Sequence, residues 1–232
     1  MRSFIRNLSA SAEFCLVALL AFGLPVIGRI LVIARRVMNV EPHPVRFDDH
    51  TVIVLLLTEA SILAIVLGIG RIRGWAAERF RVGVSWKFTA MGFFLYGAAT
   101  AVAVLVHSSV WAHRANLATH APVSVGVGLT LPFIILNSVT NPVFEEMLEA
   151  GYLISALHKF GMWPAILAGA FLRAFLHLYL GTPGALVVLV TGVIFGLVYW
   201  RWRQLWPLIV AHALLDFLGL MHVNIIRLLH LN

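Results

Sequence analysis

The stretch MWPAILAGAFLRAFLHLYL, residues 162–180, has the length and apolar character of a membrane span, yet it carries Arg173 and His177. About 20 residues rising 1.5 Å each cross the hydrocarbon of a bilayer, so the stretch reads as a transmembrane helix. Its two polar residues stand at i and i+4 and share one helical face. A charged side chain near the bilayer centre costs on the order of 3 kcal/mol, so such residues persist where they pair or do chemistry.

The rest of the chain is of the same kind. It has 232 residues, 61% hydrophobic and 12% charged, with a mean hydropathy of +0.94. A soluble domain carries about a quarter charged residues, so the expectation is an all-α, polytopic transmembrane bundle. Further spans are read at 14–33, 51–70, 88–107, 123–144, 183–200 and 205–221, with a shorter segment at 145–158. About eight helical segments follow, forming one integral membrane domain over residues 1–232 with no soluble domain, repeat or cleavable leader.

The net charge of +7 falls mainly in short loops between spans, which favours membrane topology over nucleic acid as its cause. Arg2 and Arg6 precede the first span, and Arg71, Arg73, Arg79, Arg81 and Lys87 follow the second, predicting a cytoplasmic N-terminus. Allowing segment 145–158 its own crossing brings the polar residues to similar depths. Both termini are then inside, at the cost of placing Arg201 and Arg203 outside. The single cysteine, Cys15, excludes an intramolecular disulfide and reads as a small core residue.

Two further polar groups accompany Arg173 and His177: Glu145, Glu146 and Glu149, and the pair His212 and Asp216, again at i and i+4. Pro142 lacks an N–H and biases Asn141 out of the helical region, so it marks a helix start. The glutamates then sit in a first turn, where the helix dipole favours carboxylate charge. A carboxylate with a neutral imidazole can hold a water and take its proton. A second His with an Asp can donate to the oxyanion formed at an attacked carbonyl.

In order and spacing, residues 141–220 resemble the CAAX protease and bacteriocin-processing family of intramembrane proteases. Its first motif is Glu-Glu, three residues, then Arg, matched by Glu145 and Glu146. Its second ends in His four residues after a Phe, and its third is His, three residues, then Asn or Asp. The resemblance implies a glutamate-dependent endopeptidase. Glu145 would activate water with His177, Glu146 would support the site, and His212 with Asp216 would stabilise the oxyanion. It implies a peptide or protein C-terminal tail as substrate, of the kind type II CAAX prenyl proteases shorten by three residues, and no cofactor. The location implied is multi-pass, in the plasma membrane of a prokaryote.

The chain departs from the pattern twice, with Ala150 where the family has Arg and Arg173 where it has Phe. A guanidinium moved to the neighbouring helix can still pair with Glu146 or Glu149. Three other readings stand beside the protease. Two His and the carboxylates are potential zinc ligands, although the His-Glu-x-x-His helix of zinc peptidases is absent. Buried acids and His also build proton or ion relays, but transporters show internal repeats that the first half lacks. An inactive peptide-binding partner is the third, suggested by Ala150. Glu59 reads as a structural carboxylate bonding a neighbouring helix, and His107, His113 and His120 as solvated loop residues. Trp75, Trp86, Trp111, Trp163, Trp200 and Trp206 read as interfacial anchors. Gly92, Gly97, Gly169, Gly192 and Gly196 read as small faces for helix contact.

Overall fold

The computed structural model describes residues 2–38, 45–112 and 125–230; His113, Arg114 and His120 lie outside them. A short helix α1 (Arg2–Arg6) leads into α2 (Ala10–Val37), α3 (Asp49–Arg73) and α4 (Trp86–Ala112). Next come α5 (Leu131–Glu146), a π-helical stretch Met147–Ile154 and α6 (Ser155–Leu157), which continue one another without a break. The bundle is completed by α7 (Met162–Leu176), α8 (Gly181–Trp202) and α9 (Trp206–His230). Five of these helices are long and apolar enough to cross a membrane, and α7 is a shorter apolar one. With α1 and the continuous rod over 131–157 each counted once, the described residues form the expected all-helical bundle of eight segments.

The rod corrects the expected path of the chain. Pro142 lies fully buried inside α5 and starts no helix. Its missing N–H leaves the carbonyl of Ser138 without its helical donor, and the chain stays helical through the proline and widens into π turns a few residues on. Segment 145–158 is therefore the end of a rod roughly 40 Å long, with no crossing of its own. The span expected from 123 begins only at Leu131. Val125–Gly128 is drawn out as a strand, β2, in parallel register with β1 (Val45–Asp48), Val45 opposite Val125 and Asp48 opposite Gly128. Two glycines in four residues disfavour helix there.

With one crossing fewer, the chain ends fall on opposite sides of the bundle, where the expectation had both inside. Arg73 at the end of α3 donates to the Arg6 carbonyl at 2.7 Å, whereas Asn224 near the end of α9 donates to the Leu129 carbonyl beside the strand pair. Arg201 and Arg203 move as well. The N–H of Leu205 donates to the Arg81 carbonyl and Gly83 N–H to the Gln204 side chain, which ties the α8–α9 turn to the α3–α4 loop. Most cationic residues thus gather at one end of the bundle, as the charge bias of membrane proteins favours. At the other end Asp48 caps α3. The Thr51 hydroxyl and then its N–H donate to the Asp48 carboxylate at 2.7 and 2.8 Å and hold its pKa below the usual range.

Helix α7 packs along α8 through small residues. A Cβ on Gly196 would lie 2.7 Å from Ile166 Cγ2, and one on Gly192 3.1 Å from Ala170 Cα. Gly92 packs equally closely on Val210 of α9, while Gly97 faces open space and is no contact face. Cys15 is exposed on α2, against the expectation of a core site, because α2 buries only a narrow stripe through Val17, Ala21 and Phe22. Trp86 and Trp163 are exposed as interfacial anchors are. Trp75 is instead a packing residue, tilted against the Tyr152 ring at 4.9 Å between centres and donating to Glu13 at 2.9 Å. His107 is exposed, with Nδ1 at 2.8 Å from the Ala103 carbonyl.

Gly196→Val is expected to lower stability by about 1–3 kcal/mol through overpacking against Ile166. Gly97→Ala is expected to leave it unchanged or slightly raised. Thermal unfolding of both variants in detergent measures the contrast.

Candidate active site

Four helices bring the three polar groups together. Arg173 of α7 reaches two carboxylates of the rod at once: its Nη2 donates to Glu146 Oε1 at 2.7 Å and its Nε donates to Glu149 Oε2. Glu146 is fully buried and Glu149 and Arg173 nearly so. The guanidinium lies 5.6 Å from the centre of the Phe195 ring of α8, and Ala150 lines the small cavity beside it. Position 150, where the resembled pattern has a cation, is Ala, and the guanidinium of Arg173 on the neighbouring helix meets Glu146 and Glu149.

Glu146 hands this pair on to the next residue. Its Oε1 also meets His212 Nδ1 of α9 at 2.8 Å, so Nδ1 carries a proton donated to the carboxylate. The other ring nitrogen, His212 Nε2, lies 3.8 Å from Glu145 Oε2 and 3.6 Å from Asp216 Oδ1. Those two acids are the open part of the site, with side chains 20% and 24% exposed. One hydrogen-bonded line thus runs from Glu149 through Arg173 and Glu146 to His212, whose Nε2 faces the partly exposed pair.

His177 closes α7. Its Nδ1 is 2.8 Å from the carbonyl oxygen of Arg173; a carbonyl accepts only, so Nδ1–H donates and the neutral ring keeps its lone pair on Nε2. Glu145 is within electrostatic reach of that ring. After His177 a tight turn, Leu178–Leu180, and Gly181 at φ 77° send the chain back as α8. That left-handed backbone favours glycine.

Three residues join the site that sequence reading did not assign to it. Asn141, read as a turn marker, sits mid-helix one turn before Glu145 and bridges Glu145 Oε1 at 3.4 Å and Asp216 Oδ2 at 3.3 Å. Its spacing of four from Glu145 was the available signal. Glu59, read as a structural acid, is buried with Oε2 unpartnered and lies within electrostatic reach of Glu145 and Asp216. Its height follows from packing: Val52 of α3 clusters with Ile134 of α5, and Val66 with Leu148, which levels Glu59 with Asn141. The Tyr179 ring lies tilted beside that of His177 with centres 5.7 Å apart, and its place two residues after His177 was the available signal. Among the described residues no group of three or more His, Cys, Asp and Glu side chains has the arrangement to hold a metal ion.

The fold and the site define a helical membrane protein with a carboxylate and imidazole centre inside the bundle. Residues 127–218, about two fifths of the chain, match the family model described as type II CAAX prenyl endopeptidase Rce1-like. This region is an Rce1-like domain of the CAAX protease and bacteriocin-processing family, as the order of the motifs implied. The family is one of proteases, which supports an enzyme with a peptide as its class of substrate. Together with the five apolar helices it fits an integral membrane protein. No curated protein and no solved structure matches the chain.

Arg173→Ala leaves two buried carboxylates without their cation and is expected to cost about 3–5 kcal/mol. Adding Ala150→Arg is expected to restore much of that loss, because position 150 borders the same cavity. The thermal midpoint in detergent of wild type, single and double variants reads both effects.

Proposed function

We propose that this protein is an intramembrane endopeptidase that hydrolyses a peptide bond near the C-terminal tail of a substrate at the membrane, through a water activated by Glu145 and His177. The observation that carries the reading is the clustering of Glu145, Asp216 and His212 with Asn141, on the less buried side of the Arg173, Glu146 and Glu149 group.

Water held between Glu145 and the Nε2 lone pair of His177 loses a proton to Glu145 as its oxygen attacks the peptide carbonyl. The C=O bond opens to an oxyanion, which takes a hydrogen bond from His212 Nε2–H, the ring being held through Nδ1 by Glu146. Collapse breaks the C–N bond, and the leaving amine takes the proton from Glu145. Asp216 and Asn141 orient His212 and Glu145. Glu146, Glu149 and Arg173 are positioning residues that fix the height and tautomer of His212. The catalytic region is taken as 141–220 of one membrane domain. Its cation-rich end faces the cytoplasm of a prokaryotic cell, with the N-terminus on that side.

Peptide cleavage by the purified protein in liposomes, with and without chelator, tests this. Glu145→Gln is expected to abolish cleavage, and His177→Gln to slow it by about 10²–10⁴-fold. Cleavage that survives Glu145→Gln would assign the base elsewhere. Loss of activity on chelation would replace the proposed water activation with a metal-dependent one. Failure to cleave across a broad panel by a folded, peptide-binding protein would favour the inactive partner.

A further inference from the structure

Asn137, Asn141 and Glu145 stand four residues apart on the rod, and Ile134 and Ser138 share their face. Asn137 is 5% exposed and Ser138 2%, and Asn137 Oδ1 and Ser138 Oγ have no hydrogen-bond partner among the described residues. The same is true of Oε2 of Glu59, 6% exposed, which packing sets level with Asn141. On the side toward the strands these groups are closed off by an apolar layer of Val52, Leu129 and Ile134, packed with Phe217 and Leu220 of α9. On the other side lies the centre. Asn141 donates to Glu145 and Asp216 over 3.4 and 3.3 Å, and Glu59 is within electrostatic reach of the same two acids.

An amide, a hydroxyl and a carboxyl with buried, unmatched atoms are the lining an internal water takes, because water makes about three hydrogen bonds, as donor and as acceptor. Hydrolysis inside a bilayer needs such a place. A peptide lying across Glu145 and Asp216 covers the less buried side of the centre, and the hydrocarbon around the bundle supplies no water in its stead. Water for the attack must therefore already lie behind the peptide.

We propose that Asn137, Ser138 and Glu59 hold water behind the centre, and that this store supplies the molecule activated by Glu145 and His177 once a peptide covers the other side. The three are positioning residues that act through the water, and Asn141 stands between the store and the base. This rests on the peptidase reading above.

The test reads the water first and turnover second, with the full chain in liposomes. Hydroxyl radicals generated from water by X-rays mark side chains beside held water even where bulk solvent does not reach. Ile134 and Leu148 are both fully buried, and of the two only Ile134 adjoins the store, one turn from Ser138. Mass spectrometry is expected to find the mark at Ile134 and not at Leu148, and to find it lost when Glu59→Leu and Ser138→Ala are combined. The same double variant is expected to lower kcat by about tenfold with KM held, as loss of one or two hydrogen bonds to the water warrants. Glu59→Gln keeps hydrogen-bonding groups and is expected to retain most of the mark and of kcat, which guards against a merely misfolded double variant. A responsive mark in a protein that cleaves no peptide would retain the store and sink the peptidase reading. Ile134 unmarked in wild type overturns the store, as does a mark that outlasts the double variant. Loss of the mark with kcat unchanged overturns the supply and leaves the peptidase. A fall in kcat as large in Glu59→Gln as in the double variant overturns it too, because Glu59 would then act as an acid and not through water.

Discussion

The placement of Arg173 between Glu146 and Glu149 is the constraint on which the rest of the centre depends. In a low-dielectric interior neither acid nor cation is stable alone, and the geometry satisfying all three fixes α7 against the rod. The same Glu146 oxygen holds His212, so the pairing also sets the height of α9. Close approach of α7 and α8 through Gly192 and Gly196 keeps the guanidinium under Phe195. The partly exposed residues Glu145 and Asp216 are thereby presented by a buried scaffold.

Much of this was legible because the signals were local. Apolar runs of bilayer length gave the helices, and spacings of four gave the shared faces of Arg173 with His177 and of His212 with Asp216. What one helix meets on another is not a local property. The sequence allowed Arg173 to pair with Glu146 or Glu149, and only packing shows that it meets both. Glu59 reaches the centre through tertiary contact alone, and its own segment reads as an ordinary membrane span.

The misreading at Pro142 has a definite physical origin. Proline in water breaks helices because its freed carbonyl and ring clash have no remedy, whereas a buried helix held by neighbours on several sides tolerates both. Taking it as a boundary divided one rod into two crossings and carried the C-terminus, Arg201 and Arg203 to the wrong faces. It also gave the glutamates a helix dipole as their stabiliser, when Arg173 of α7 and the His212 ring of α9 stand there instead.

The four-residue strand pair at the far end has a mechanical meaning for the centre. Parallel pairing fixes Asp48 beside Gly128, from which α3 and α5 depart in the same direction, with Thr130 N–H bound to Asp49 at 2.9 Å. The pair works as a gauge block, setting the two helices to a common zero before they enter the bundle. A single residue gained or lost between the strand and the first turns of α3 would rotate everything beyond it by about 100° and displace it by about 1.5 Å. Glu59 would then face another helix, although no residue near the centre had changed.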